Sequence, residues 1–319
     1  MKCRRCREPA VIEVRRHNAG FCQACFVHHC GEQVRRAVDE YDMIGDGERI
    51  LVAVSGGKDS LGLWHLLRTL GYEADGLYVG LGIGEYSETS ATYAREFARA
   101  QGWELIEIDL RETYGFDVPD GSRAAKRAPC SACGLSKRHL FNQAAIDRGY
   151  DVLATGHNLD DEAAVLFGNV LRWDTSYLAR QYPVLPAAPG FARKVKPLIR
   201  LGERELAAYC VLQGIDYIVE ECPMAAGNRH LGYKEALNAI EERSPGSKSA
   251  FVSGFFDRAH ERFAADVVEE RDELVPCVRC GAPTPGVRPD DDRRRDVICA
   301  FCRLRARAVG APMPLRNAR

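Results

Sequence analysis

Thirteen cysteines carry most of the chemistry that this chain could do. Ten of them form five C-x-x-C pairs, and four of these pairs stand near the two ends of the chain. At each end the two pairs are separated by fifteen or eighteen residues, a spacing typical of structural zinc sites with four thiolate ligands. The sequence therefore predicts two zinc ribbons, with the ligands Cys3, Cys6, Cys22 and Cys25 in the first and Cys277, Cys280, Cys299 and Cys302 in the second. His28 or His29 is the alternative to Cys25 as a ligand in the first ribbon.

The fifth pair, Cys130 and Cys133, lies far from both ribbons and needs a partner elsewhere. Cys222 follows the last strand predicted for the core and could meet the pair at the carboxyl end of the sheet. Three thiolates with one open coordination position suit a [4Fe–4S] cluster, or alternatively a zinc ion with a bound water. As a third possibility, Cys130 and Cys222 could cycle through a persulfide or a transient disulfide. The spacing does not rank these three. Cys30 and Cys210 are expected to be ordinary buried thiols.

The stretch SGGKDS is typical of a loop that binds phosphate at the start of a helix. It offers two glycines for close backbone approach, hydroxyl and ammonium donors and one carboxylate for Mg²⁺, from Ser55, Gly56, Gly57, Lys58, Asp59 and Ser60. A Walker A loop would need a glycine at Val52 and serine or threonine at Asp59, so this loop is of another type.

These residues need a scaffold, and the middle of the chain alternates between strand-like and helix-like segments. Strands are predicted at 49–55, 74–81, 104–110, 151–156 and 215–221, and helices at 60–70, 87–101, 136–149, 160–171 and 204–214. This alternation predicts an α/β fold, a doubly wound parallel sheet, here flanked by two small zinc ribbons.

The segment after the fourth predicted strand, ATGHNLDDEAA, joins the phosphate loop if that strand neighbours the first. Gly156 then lies near a nucleotide and Asp161 near its phosphates. The alternative is a turn into a capped helix, with Asp160 or Asp161 as the cap. We expect His157 to be a turn residue rather than a base.

The formal net charge of −1 conceals a clustering of basic residues. Residues 1–36 carry a net +5, residues 121–140, read as a loop, carry five cations and no acid, and residues 293–319 carry a net +7. Such clusters favour contact with a polyanion, and solvated arginine-rich faces are the alternative. No apolar run approaches the roughly 18 residues that a membrane span needs, and the start of the chain lacks a secretory apolar segment. We therefore expect a cytoplasmic protein.

The loop SGGKDS resembles the PP-loop of the ATP pyrophosphatases. Together with the two ribbons and the stretches LGIGEYS, CSACGLSKR, GHNLDDEA and EECP, it makes the chain similar to the iron–sulfur-dependent tRNA 2-thiolation family of that superfamily. The similarity is greatest to the thermophile enzymes that thiolate the T-loop uridine. Gly80 departs from the pattern, because relatives often place an acidic residue there, and so does the Asp/Arg-rich loop 287–297.

The resemblance implies an enzyme that adenylates O2 of a tRNA uridine with ATP and replaces that oxygen by sulfur, releasing AMP and diphosphate. It implies a [4Fe–4S] cluster on Cys130, Cys133 and Cys222, with Asp59, Lys137, Cys130 and Cys222 as catalytic residues. It places ATP and Mg²⁺ at Ala53, Ser55, Gly56, Gly57, Lys58, Asp59, Ser60, Val79, Lys137, Gly156 and Asp161. The expected cofactors are therefore ATP, Mg²⁺, a [4Fe–4S] cluster and two Zn²⁺.

The partners expected from the resemblance are tRNA, a ubiquitin-like sulfur carrier with a terminal thiocarboxylate or another sulfide source, and a second copy of the chain. Alternative functions are 2-thiolation of a wobble uridine or a cytidine, amidation of the lysidine type, and a non-catalytic zinc-ribbon module that binds RNA. The expected division is a ribbon at 1–30, the PP-loop domain at 31–245, a helical linker at 246–273, a second ribbon at 274–306 and a basic tail at 307–319.

Overall fold

The computed structural model describes residues 1–225, 229–268, 274–286 and 297–311. Its strands are β1 Ile12–Val14, β2 Ala19–Phe21, β3 Ile50–Val54, β4 Ala74–Gly80, β5 Leu105–Asp109, β6 Val152–Thr155, β7 Val184–Leu185, β8 Arg193–Val195, β9 Leu274–Pro276 and β10 Pro283–Pro285. Its α-helices are α1 Gln23–Glu40, α2 Lys58–Thr69, α3 Gly84–Gln101, α4 Leu110–Tyr114, α5 Val118–Ala125, α6 Pro129–Asp147, α7 Leu159–Arg172, α8 Thr175–Leu178, α9 Glu203–Gln213, α10 Arg229–Arg243, α11 Ser247–Arg258, α12 His260–Val268 and α13 Ala300–Val309. Parts of the predicted linker (269–273), of the Asp/Arg-rich loop (287–296) and of the basic tail (312–319) lie outside the described residues.

The central sheet has six strands in the order β5–β4–β3–β6–β8–β7. Every pairing is parallel except that of β7 with β8. The doubly wound α/β sheet predicted from the sequence is therefore confirmed, with an additional antiparallel hairpin at one edge that the sequence did not indicate. Because β3 lies between β4 and β6, the chain reverses direction across the sheet there, and ligands bind at such a switch point in open α/β sheets.

One face of the sheet is covered by an aromatic cluster around Trp64 of α2, which is completely buried. Its ring lies directly against Gly76 of β4, where an added Cβ would come within 2.5 Å of the indole. Phe97 and Trp103 each place their rings 5.6 Å from that of Trp64. This packing fixes α2 on the sheet and with it the loop that precedes the helix.

Two local predictions were wrong. Residues 215–221 form no strand: Ile215 and Ile218 are buried three residues apart instead of alternating. The β-branched residues of this stretch indicated a strand, but the Ile218 N–H bonds to the Gly56 carbonyl and not to a neighbouring strand. Residues 121–140 are not a loop either, since α5 and α6 occupy most of them, and α6 begins at Pro129, seven residues before the predicted start.

Each ribbon is a short β-hairpin followed by a helix, and each is tied to the α/β body. Arg16 of the first ribbon forms a buried ion pair with Glu205 at the start of α9, at 2.7 Å. In the second ribbon, Phe301 of α13 stacks on His139 of α6 with ring centroids 4.0 Å apart. The second ribbon therefore supports the helix that carries Cys130 and Cys133.

The described part of the segment expected as a linker is helical and packs onto the body through α11 and α12. Val252, Phe255 and Phe256 of α11 are buried in the same core as Trp64. Among the helices of the described ranges, none combines the length and the apolar character that crossing a membrane requires.

Candidate functional site

The phosphate loop, Ser55 to Ser60, joins the end of β3 to the start of α2 at the carboxyl edge of the sheet. Ser60 holds it closed: its Oγ accepts a hydrogen bond from the Ser55 N–H at 3.0 Å and donates one to the Gly57 carbonyl at 3.0 Å. Gly57 is the N-cap of α2, so no side chain occupies the free N–H groups of the first turn. The loop thus presents these groups and the positive end of the helix dipole to an anion.

Gly56 adopts a backbone conformation that a side chain would not permit. Its φ is +73°, and an added Cβ would lie 2.2 Å from the Ser90 carbonyl oxygen. Its own carbonyl accepts a hydrogen bond of 3.0 Å from the Ile218 N–H. The segment that leads to Cys222 is therefore anchored on the phosphate loop.

The end of β6 and the start of α7 complete the edge. An added Cβ on Gly156 would lie 3.0 Å from the backbone of Asp59, so glycine is needed for this close approach. Asn158 caps α7 by accepting from the Asp160 and Asp161 N–H groups at 2.9 and 3.1 Å. Its Nδ2 donates to Asp59 Oδ1 at 3.1 Å. The helix cap is Asn158 and not Asp160 or Asp161, as the alternative interpretation had it, although Asp161 completes a capping box.

Asp59 and Asp161 lie close enough to influence each other's charge. Burial raises the pKa of Asp59 and the neighbouring Asp161 raises it further, whereas Lys58 lowers it. Two adjacent carboxylates beside a phosphate-binding loop are ligands of the type that Mg²⁺ takes. His157 is exposed and its Nδ1 lies 2.9 Å from Thr155 Oγ1, as expected of a turn residue.

Two lysines and three carboxylates form a continuous chain of ion pairs, which we call the charge ladder. Lys58 Nζ lies 3.2 Å from Asp59 Oδ2 and 2.8 Å from Glu203 Oε1. Lys234 Nζ, from α10, lies 3.1 Å from Glu203 Oε2 and 2.6 Å from Asp161 Oδ1. Burial by itself would raise the pKa of Glu203, but the two lysines bring it down to about 2. The ladder connects the starts of α2, α7 and α9 to α10.

The fifth cysteine pair lies in the first turn of α6 and meets the segment that holds Cys222. The Cys130 thiol donates a hydrogen bond of 3.5 Å to the Met224 carbonyl. Burial raises the pKa of Cys133, Lys137 one turn further along α6 lowers it, and Cys222 and Cys130 raise it again. The two segments that carry the three thiols are therefore neighbours, and Lys137 lies near Cys133.

The three thiols are more widely spaced than the ligands of one zinc ion. Within the described ranges, two groups of at least three Cys, His, Asp or Glu residues have their ligand atoms within 4.8 Å of one another, and both are ribbon cysteines. Zn–S bonds of about 2.3 Å would hold tetrahedral sulfurs roughly 3.8 Å apart. Cys130, Cys133 and Cys222 do not form such a compact group among the described residues. All thirteen cysteines are free thiols.

The two compact groups are the ribbon sets, Cys3, Cys6, Cys22 and Cys25, and Cys277, Cys280, Cys299 and Cys302. The first group contains Cys25 and neither of the two alternative histidines. In the second, Cys277 Sγ accepts from the Cys299 and Arg279 N–H groups at 3.2 and 3.4 Å. Such bonds orient thiolates toward a shared metal ion.

Ala53 and Val79, which the resemblance assigns to the ATP site, lie on the adjacent strands β3 and β4, and both pack in one apolar cluster. Beside them, Gly80 pairs with Asp109 of β5. An added Cβ on Gly80 would lie 2.8 Å from Asp109 Oδ2. The carboxylate beside Gly80 thus belongs to Asp109 on the neighbouring strand, β5.

Sequence reasoning missed three residues of this edge: Asn158, Glu203 and Lys234. Asn158 had a readable signal, because an Asn followed three residues later by an acid is a variant of the capping box. Glu203 and Lys234 had none, since they lie in helices far along the chain from the phosphate loop. Cys30 and Cys210 are buried as expected, and burial raises the pKa of Cys210 to about 12.

Comparison with known proteins assigns two regions of the chain. Residues 2–27 match the family described as the N-terminal LIM domain of the 2-thiouridine synthetase TtuA, and residues 28–226 match the PP-loop domain family. Among curated proteins, a tRNA-5-methyluridine(54) 2-sulfurtransferase of Thermus thermophilus is 49% identical over 95% of this chain and 91% of its own length. A protein of the same name from Pyrococcus horikoshii is 41% identical over 95% of this chain and 93% of its own.

Among solved structures, the U34-tRNA thiolase NcsA of Methanococcus maripaludis, determined with its [4Fe–4S] cluster, has the same overall fold. It superposes with a TM-score of 0.78 at 25% sequence identity and covers 95% of each chain. This match extends over nearly the whole chain and not over the PP-loop domain alone.

Proposed function

Because this chain belongs to the family of PP-loop tRNA 2-sulfurtransferases, we propose that it replaces O2 of a tRNA uridine by sulfur, and that the T-loop uridine is its target. One observation carries the proposal. The segment 215–225 bonds to the phosphate loop through Ile218 and to the Cys130 thiol through Met224. This link supports nucleotide activation and sulfur delivery at the two ends of one short stretch of chain.

The phosphate loop performs the activation step. Its backbone N–H groups, Lys58 and the hydroxyl groups of Ser55 and Ser60 would hold the triphosphate, while Asp59 and Asp161 would hold Mg²⁺. Uracil O2 attacks the α-phosphorus of ATP, the bond to the β-phosphate breaks, and diphosphate leaves. This converts O2 into part of an AMP leaving group. Catalysis here is positioning and neutralisation of charge.

Cys130, Cys133 and Cys222 would hold a [4Fe–4S] cluster, which is supported by the cluster in the similar NcsA structure and by the contact between the Cys130 thiol and the segment of Cys222. Such a cluster supplies, when bound, a site that presents sulfide to C2 of the uracil. As sulfur bonds to C2, the bond to O2 breaks and AMP leaves with that oxygen. Lys137, half-buried one turn from Cys133, would neutralise the departing phosphate.

We further propose that each ribbon binds one Zn²⁺, that the structural units divide near residues 30, 245, 273 and 306, with α1 and α13 continuing across the first and last of these divisions, and that the chain acts as a cytoplasmic homodimer. The sulfur would come from a thiocarboxylated ubiquitin-like carrier or another sulfide source. The basic residues of 1–36 and 121–140 would bind the tRNA backbone, whose phosphates attract such clusters.

Anaerobic purification, followed by iron and sulfide analysis and by nucleoside analysis of reacted tRNA, tests the proposal. Cys222→Ala is expected to lose iron and thiolation, whereas Cys30→Ala, which removes a buried thiol away from the site, keeps both. Full thiolation by Cys222→Ala would show that the cysteine assignment is wrong. The wobble uridine is the second candidate target, because the NcsA match is a U34 thiolase. Transcripts lacking either the T-loop or the wobble uridine distinguish the two.

A further inference from the structure

The charge ladder places a second ammonium group beside the phosphate loop. Lys58 belongs to the loop itself, but Lys234 comes from α10 and reaches the same carboxylate, Glu203, from the other side. Its side chain is 23% exposed, so it is neither buried in the core nor free on the surface. Lys234 therefore stands at the rim of the site in which a triphosphate would lie.

The position of Lys234 is fixed by its neighbour in α10. The Tyr233 ring packs against α7, where an added Cβ on Gly168 would lie 2.6 Å from the ring, and it meets Phe167 edge-on at 5.8 Å. The stem of Lys234 is thus held over the start of α7, next to Asp161. A lysine placed this firmly loses little further freedom when it binds an anion.

Every member of the ladder is engaged within the protein. Glu203 bridges the two lysines, and Asp59 and Asp161 close the ladder at its ends. A triphosphate brings several negative charges to this place, and Mg²⁺ would neutralise the two aspartates. The negative charge of Glu203 then opposes nucleotide binding, because Glu203 repels the phosphates and competes with them for the ammonium groups of Lys58 and Lys234.

We propose that Lys234 is a phosphate-binding residue of the nucleotide site and that Glu203 occupies Lys58 and Lys234 until the nucleotide replaces it. This rests on the proposed function only in taking ATP as the ligand. The exchange forms two ammonium–phosphate contacts and releases the Glu203 carboxylate to solvent. Glu203 therefore weakens nucleotide binding, and Lys234 strengthens it.

A purely structural role for the ladder predicts something different. Removing either Lys234 or Glu203 breaks the same ion pair, so both substitutions would loosen the site and weaken ATP binding together. On our proposal the two substitutions change the affinity in opposite directions. The sign of the effect at Glu203 therefore decides between the two explanations.

The experiment measures the Kd of the full chain for α,β-methylene ATP with Mg²⁺ by calorimetry, without tRNA, on anaerobically purified protein at low salt. Lys234→Met is expected to raise the Kd at least tenfold, since a hydrogen bond to a charged group contributes about 1.5–3 kcal/mol. Lys234→Arg retains the charge and should stay within about threefold. Glu203→Gln is expected to lower the Kd about two- to fivefold, the range for a partly exposed ion pair, and less so at high salt.

Arg243→Met is the matched control, because it removes a positive charge from the same helix at its exposed end. Its Kd should stay within about twofold of the unsubstituted chain. Weaker binding by Glu203→Gln, or unchanged binding by Lys234→Met, overturns the proposal. If Lys234→Met does not fold, Lys234→Arg and Glu203→Gln still provide the test. If the unsubstituted chain binds no nucleotide, the proposed function itself fails, which is a separate result.

Discussion

The buried ion pair between Arg16 and Glu205 should hold the first ribbon on the α/β body. Arg16 donates from Nε and Nη2 to the two carboxylate oxygens at 3.0 and 2.7 Å, and from Nη2 to the Arg200 carbonyl at 2.6 Å. The two side chains are only 10% and 9% exposed. Arg16→Met would leave the Glu205 carboxylate with the Gly202 N–H, at 3.0 Å, as its remaining bond.

The expected cost follows from this burial. Removing one partner of a buried ion pair costs about 3–5 kcal/mol, because the other charge is left uncompensated. The pair Arg95–Glu107 has the same 2.7 Å separation but side chains that are 57% and 38% exposed. For such an exposed pair, Arg95→Met should cost about 0.2–1 kcal/mol.

Urea unfolding monitored by circular dichroism, together with zinc release, measures both effects. Arg16→Met should lower the free energy of unfolding several times more than Arg95→Met and should release zinc from the first ribbon earlier. Replacing both partners, Arg16→Met with Glu205→Met, should recover most of the loss, since no buried charge is then left alone. Equal losses at Arg16 and Arg95 would refute the reasoning that burial sets the strength of this pair.

Three further predictions address the site, the core and tRNA binding. Gly156→Ala should raise the Kd for ATP about tenfold, because overpacking against the Asp59 backbone costs about 1–3 kcal/mol. Titration calorimetry would measure this change. An unchanged Kd would contradict the close approach of Gly156 to the Asp59 backbone. Burial lowers the pKa of His65 from 6.5, so below that pH the unfolded chain binds more protons than the folded chain and stability is lost as the pH falls. His65→Gln should therefore flatten the pH dependence of the free energy of unfolding, measured by urea titration between pH 7.5 and 5.5. An equally steep dependence in the variant would contradict this. Arg4→Ala and Arg5→Ala, both in the exposed part of the first ribbon, should each weaken tRNA binding. Each should also reduce the slope of log affinity against log salt concentration by the amount expected for about one phosphate contact. Equal salt slopes in filter-binding assays would place the tRNA elsewhere.

The parts of this fold that the sequence predicted well are those in which local pattern and tertiary role agree. β3 is apolar throughout because both its faces are covered, and the SGGKDS loop follows it with a helix directly behind. The four-cysteine spacings indicated the two compact groups that the structure contains, and only the choice between Cys25 and a nearby histidine was left open. Cys222 was chosen from the leftover cysteines because it follows a predicted strand at 215–221; that strand does not form, yet its segment still reaches the Cys130 thiol through the Met224 carbonyl.

The parts that sequence reasoning missed depend on contacts between distant segments. The stretch 215–221 has the composition of a strand, but its hydrogen bond goes to the phosphate loop, and composition carries no information about that partner. Glu203 and Lys234 resemble ordinary helix-surface charges until α9 and α10 are folded around Asp161. The hairpin of β7 and β8 was missed because its strands are two and three residues long.

The stacking of Phe301 on His139 also has a consequence for how the protein is synthesised. The ribosome makes His139 about 160 residues before Phe301, so one side of α6 emerges without the ring that covers it. Until the second ribbon has folded, the face of α6 that carries His139 stays open to water and to other nascent chains. The helix that carries Cys130 and Cys133 therefore gains this support only after Phe301 has been made, and a chain truncated before Phe301 would lack it.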